Sequence, residues 1–120
     1  MLITRVLLFL FMIILIVPSV ANSHAYPDHA DPKVGSTING APTYVRIWFD
    51  SALEPLFSSI SVEDMQGKKV DKGDAHVDPN DLMLLEVSLP PLPAGTYHVF
   101  WNVVARDTHR TMGYYTFTIK

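Results

Sequence analysis

From residue 44 to the end of the chain, apolar and polar residues alternate in short runs. Val45, Ile47 and Phe49 share one face of the stretch Tyr44-Val45-Arg46-Ile47-Trp48-Phe49. Ile60-Ser61-Val62-Glu63 alternates in the same way, and Met65-Gln66-Gly67-Lys68 closes it with a turn before Lys69-Val70 begins the next run. Residues 82–89 form a further run with Met83, Leu85, Val87 and Leu89 pointing inward. Pro90 to Pro93 end it, because proline cannot donate to a strand ladder. Beyond the Ala94-Gly95 turn, Tyr97, Val99, Trp101 and Val103 line one face, and Tyr115, Phe117 and Ile119 line a last strand. Side chains separated by two positions lie on the same side of an extended chain, so each run predicts a half-buried strand. Residues 24–43 are rich in turn formers (Pro27, Asp28, Pro32, Gly35, Asn39-Gly40 and Pro42) and read as an irregular, extended opening segment. Residues 51–59 could be a loop or a single helical turn. Short strands separated by frequent turns, without a sustained helical period, predict an all-β sandwich or barrel.

The first residues follow another pattern. Met1 to Arg5 carry one positive charge, residues 6–17 are uninterruptedly apolar, and Pro18-Ser19 break the run. Ala21 and Ser23 then put small residues at the −3 and −1 positions of a cleavage site after Ser23. This is the layout of a secretory signal peptide, and the apolar run is shorter than the ~20 residues a membrane-spanning helix needs. The expected organisation is a signal peptide over residues 1–23 and one domain over residues 24–120. Cleavage after Ala21 or Ala25 is also compatible with the residues there.

Charge and composition narrow the chemistry. The net charge is −3 over 120 residues and loss of Arg5 makes it more negative, so no basic stripe invites nucleic acid. With no cysteine, thiolate zinc sites, iron–sulfur clusters and disulfides are excluded. Histidine supplies most of the remaining reactivity. Cleavage after Ser23 makes His24 the first residue, with its free amine and ring Nδ1 placed to chelate one ion together. Copper(II) favours such nitrogen and oxygen donors in a tetragonal plane. Asp107-Thr108-His109 lies between the last two strands, and its i and i+2 side chains project to one side. The same Asp107 could equally cap a turn. His29, between Asp28 and Asp31, is a lesser ligand candidate in a solvated loop. His76 and His98 read as surface residues, Trp48 and Trp101 as packing residues, and the acidic run from Asp71 to Asp81 as a solvated loop lacking the calcium-loop ladder.

Taken together, these residues resemble the CopC family of periplasmic copper-binding proteins. His24-Ala25 resembles the family's opening histidine-alanine, and Pro32 and Gly35 its P-x-x-G. Val45 to Phe49 with Phe57-Ser58 resemble its v-x-l-x-F … F-s stretch, and Leu89 to Tyr97 its L-x-x-L-x-x-G-x-Y. Trp101 to Asp107 with His109 resemble W-x-v-x-s-x-D-G-H, and Gly113 with Phe117 resembles G-x-x-x-F. The resemblance implies an immunoglobulin-like Greek-key β-sandwich of about seven strands in the periplasm. It also implies one copper(II) ion held by the His24 amine and imidazole, by His109, and by Asp107 either directly or through an oriented water. A CopD-like inner-membrane transporter is the implied recipient. Deprotonated nitrogens bind metal, so copper affinity is expected to fall below about pH 6.

The chain departs from that pattern in three places. Thr108 stands where the family has glycine, and a positive φ there is costly. Arg110 replaces a proline. Met65, Met83 and Met112 are scattered, so no methionine-rich copper(I) site is expected; Met83 reads as core and Met112 as a minor soft contact. An amine with two imidazoles also resembles the histidine brace of oxidative polysaccharide-cleaving enzymes. The short chain, the lack of a flat aromatic surface and a carboxylate in the position oxygen needs all favour a carrier over an enzyme. A plain immunoglobulin-like module without metal is the third reading.

Overall fold

A computed structural model describes residues 24–120; the expected signal peptide lies outside the described residues. Among the described residues there are eight strands: β1 (Pro27–Asp31), β2 (Thr37–Ile38), β3 (Tyr44–Phe49), β4 (Ser59–Glu63), β5 (His76–Asp78), β6 (Asp81–Ser88), β7 (Gly95–Val104) and β8 (Arg110–Ile119). They form two four-stranded sheets in the orders β1-β3-β6-β5 and β2-β8-β7-β4. Only β5–β6 and β7–β8 are hairpins within one sheet; every other connection crosses to the opposite one. Among the described residues no helix is long and apolar enough to cross a membrane.

The alternation explains the layers. Val45, Ile47 and Phe49 from β3 and Leu85 and Val87 from β6 face Ile60, Val62, Tyr97, Val99, Val103, Tyr115 and Phe117 from the other sheet. All are buried, and burial of this apolar surface is the main force holding the sheets together. At one position the core leaves no space for a side chain. Gly113 pairs with Trp101 across β7–β8, and a Cβ there would lie 2.3 Å from the indole. The indole in turn meets the edge of Phe49 at 5.6 Å between ring centres.

Four expectations need correction. The opening segment is not irregular throughout: β1 pairs antiparallel with β3, and β2 runs parallel to β8. Proline and glycine mark the ends of these short edge strands, while their partners supply the ladder that local sequence does not reveal. Lys69 makes only an isolated bridge to Glu63, and the next strand begins later, at His76. Met83 is 44% exposed rather than core. The register between β5 and β6 shifts beside it, so the alternation of Leu85 and Val87 does not extend back to it. Leu84 is buried instead, opposite Trp48 on β3. Finally, the acidic run is not merely solvated. Asp71 accepts hydrogen bonds from the Val62 and Gly73 amides, Asp74 from Ser88 and Asp78 from Asn80, so these carboxylates close the turns around β5.

The same corner holds a pH-sensitive contact. His76 Nδ1 donates to the Asp74 carbonyl at 2.8 Å, and Nε2 faces Glu86 at 3.0 Å. Both ring nitrogens meet acceptors, and only imidazolium can donate to both. The Asp74 carbonyl raises the His76 pKa above its ordinary value; partial burial opposes this and Glu86 supports it. Protonation therefore favours the fold below the ordinary imidazole range near 6.5, and that contribution disappears as the pH rises through the elevated value. The side chain is half exposed, so screening limits the effect to a few tenths of a kcal/mol. His76→Gln should consequently cost more stability at pH 5.5 than at pH 8.5 in urea unfolding. An equal cost at both values would show that the ring is not charged in the fold.

Candidate metal centre

The centre begins with the hairpin loop joining β7 to β8. The Thr108 amide donates to the Ala105 carbonyl at 2.9 Å, and the Ala105 amide to the His109 carbonyl at 3.0 Å. This is the pattern of a three-residue hairpin loop whose last residue is left-handed. Thr108 occupies that position with φ 74°, so the backbone conformation suited to glycine is adopted here by a β-branched residue. Left-handed backbone costs a residue of this kind about 1–2 kcal/mol. Thr108→Gly is expected to raise stability by roughly 1 kcal/mol, after allowing for the greater freedom of the unfolded chain. A shift in the urea midpoint at constant m-value checks this, and no gain would mean that the threonine is unstrained.

The loop is braced by residues 50–58. Arg106 donates to the Ala52 carbonyl at 3.2 Å, Leu53 bridges Ala105, and Glu54 donates to Val104 at 2.8 Å. Within this frame Asp107 has two functions. Its Oδ1 accepts from the His109 amide at 3.1 Å, the turn cap that a D-x-H sequence permits. Its Oδ2 lies 3.2 Å from His109 Nδ1. An imidazole that donates through Nδ1 keeps its lone pair on Nε2, and such a carboxylate both orients the ring and strengthens it as a donor.

The other imidazole comes from the opposite end of the described chain. Ala25 is fully buried in the core. Tyr26 is clamped to the end of β3: its amide donates to Asp50 Oδ1 at 2.8 Å, and its carbonyl accepts from the Asp50 amide at 2.9 Å. The Ala25 carbonyl accepts from the Thr111 hydroxyl at 2.6 Å. His24 is thereby held with its ring against that of His109, centroids 4.5 Å apart and planes 27° from parallel. The Tyr26 ring stacks on His24 more loosely, at 6.2 Å.

Ligand atoms of His24, Asp107 and His109 all lie within 4.8 Å of one another. Bonds near 2 Å allow opposite ligands of one ion to be at most about 4 Å apart, so a shift of about 1 Å lets the three converge. Two imidazoles and a carboxylate make a donor set suited to copper(II) and other nitrogen-preferring divalent ions. No second such group occurs among the described residues. His29 is not a loop residue: it lies on β1, paired with Asp28 at 2.9 Å and stacked on Trp48 at 4.5 Å. His98 is on the outer side of β7 beside Phe100 and Tyr114. Met112 lies on β8 and is 69% exposed.

Sequence reasoning overlooked the residues that carry His24 into place. Ala25, Asp50 and Thr111 have no chemical signature of their own. The available signals were the position of Thr111, two residues beyond His109 on a strand, and that of Asp50 at the end of one.

Comparison with known proteins identifies the family and the fold. The family model described as the CopC domain matches residues 28–120. Protein YobA of Escherichia coli K12 is 33% identical over 107 residues, covering 88% of this chain and 86% of that protein. Copper resistance protein C of Escherichia coli is 32% identical, covering 83% of this chain and 84% of its own length. The crystal structure of CopC from Methylosinus trichosporium OB3b superposes with a TM-score of 0.72 at 31% identity, covering 81% of this chain and 94% of that one. The sandwich and the sequence agree along nearly the whole described chain, and the chain belongs to the CopC family.

Proposed function

We propose that the protein is an exported copper(II) carrier, which binds one ion through the His24 amine and imidazole, His109 and Asp107. The observation that carries this reading is the convergence of His24, Asp107 and His109 within 4.8 Å, from positions far apart in the chain. Family membership supports copper as the metal, as does the relative named copper resistance protein C. The leader-like residues 1–23 support export to the periplasm and the creation of a free amine on His24.

In this reading the amine and Nδ1 of His24 chelate from a single residue, and His109 adds a nitrogen from the braced loop. Asp107 fixes the His109 tautomer and either completes the site or orients a water. No bond of the protein is made or broken. Copper arrives and leaves by ligand exchange, as suits delivery to a CopD-like transporter in the inner membrane. Because the site lies at the rim of the sandwich with His109 exposed, a recipient's ligands can displace those of this chain one at a time.

The test is to express the full coding sequence in a bacterial host, isolate the exported protein, determine its first residue by mass, and titrate it with copper(II). The expected result is a chain beginning at His24 that binds one equivalent. A different first residue, or no saturable binding, overturns the proposal.

A further inference from the structure

We propose that Thr111 is a positioning residue for the copper site, with its hydroxyl setting where His24 stands relative to His109. This inference rests on the copper reading above. Thr111 is buried on β8, opposite Val103. At an inward strand position in an apolar core, valine supplies nearly the same shape without a polar atom. A hydroxyl there is costly unless it is hydrogen-bonded. Here it is satisfied by the Ala25 carbonyl at 2.6 Å, across a sequence separation of 86 residues.

The bond lies one residue from His24 and two from His109. Tyr26 is held by Asp50, but residues 24–25 precede that clamp, so pairing with β3 does not fix them in the way it fixes Pro27–Asp31. Thr111 attaches this segment to β8, the strand that begins one residue after His109. The 4.5 Å spacing of the two rings is the geometric consequence.

The experiment uses exported wild-type protein and the variants Thr111→Val and Thr111→Ser. In metal-free protein, nuclear Overhauser contacts between the His24 and His109 rings should be present in wild type and in the serine variant, which retains the hydroxyl. They should be lost or strongly reduced in the valine variant. Copper(II) dissociation constants should rise about tenfold with valine and stay within about twofold with serine, the scale of one buried hydrogen bond. The copper electron paramagnetic resonance spectrum should change with valine and recover with serine. If valine lowers the melting temperature but leaves ring contacts, affinity and spectrum unchanged, Thr111 is only a structural residue and the proposal fails. Should the valine variant not fold, the wild-type hydroxyl proton decides: slow exchange with solvent supports the bond to Ala25, and fast exchange overturns it. Wild-type protein that binds no copper would defeat the carrier reading, while the ring contacts would still judge the positioning role.

Discussion

Replacing His109 by alanine is expected to weaken copper(II) binding at least about a hundredfold while moving the thermal melt by no more than about 4 °C. The two effects separate because of where the side chain lies. His109 is 56% exposed, and its side chain contributes a hydrogen bond to Asp107 and ring contact with His24 rather than core packing. Substitutions at such sites usually change stability by at most about 0.5 kcal/mol, and a domain of this size melts roughly 4–8 °C lower per kcal/mol lost. Binding loses far more. Disturbing even an outer partner of a metal ligand costs about 10–100-fold, and here a proposed ligand itself is removed. His24 would keep its own amine–imidazole chelate, so weak binding like that of a short amino-terminal histidine peptide should remain. Asp107→Asn should fall between: it keeps an oxygen able to cap the His109 amide but loses the charge facing Nδ1. His29→Ala and His98→Ala serve as controls, since both rings lie outside the cluster. An affinity of the His109→Ala protein within threefold of wild type would rule out ligation by His109.

The largest expected loss of stability comes from adding a single carbon. Gly113→Ala would put a Cβ 2.3 Å from Trp101 Cζ2 and 2.7 Å from Cε2, far inside van der Waals contact. Neither partner can easily give way. Gly113 and Trp101 are paired residues in the β7–β8 ladder, so their backbones are fixed by hydrogen bonds, and the indole abuts Phe49 across the sandwich. Overpacking of this kind costs about 1–3 kcal/mol, and a rigid aromatic on a ladder position puts the expectation near 3 kcal/mol. For a domain of this size, that is a fall in melting temperature of roughly 12–24 °C. The mechanism predicts coupling. Shrinking the indole with Trp101→Val should lower the cost of alanine at 113, so that the double variant is more stable than the sum of the single effects implies. Additive losses would mean that the damage comes from backbone conformation rather than from the indole.

The histidines and the carboxylate of the proposed site were legible in sequence because their chemistry is local. A histidine at a cleavable junction and a D-x-H between two strands can each be recognised without knowing the fold. The layered sandwich was legible for a similar reason: Val45, Ile47 and Phe49, or Tyr115, Phe117 and Ile119, alternate strictly because one face of each strand is buried. Alternation failed at Met83 and Leu84, where the register between β5 and β6 slips and the exposed and buried positions no longer follow the period. It was also silent for β1 and β2, whose strand character comes from the partners they pair with.

Thr108 lies at the boundary between the two kinds of information. Sequence marked it as standing where the family has glycine; only the structure assigns it a left-handed backbone, because the three-residue hairpin requires one at that position. The residue types, the strand pattern and the candidate donors belong to the one-dimensional chain, since each depends on neighbours a few positions away. That His24 meets His109 at all was decided by tertiary structure. It depends on Ala25 entering the core, Asp50 clamping Tyr26 and Thr111 reaching the Ala25 carbonyl, contacts between distant segments that no local preference encodes.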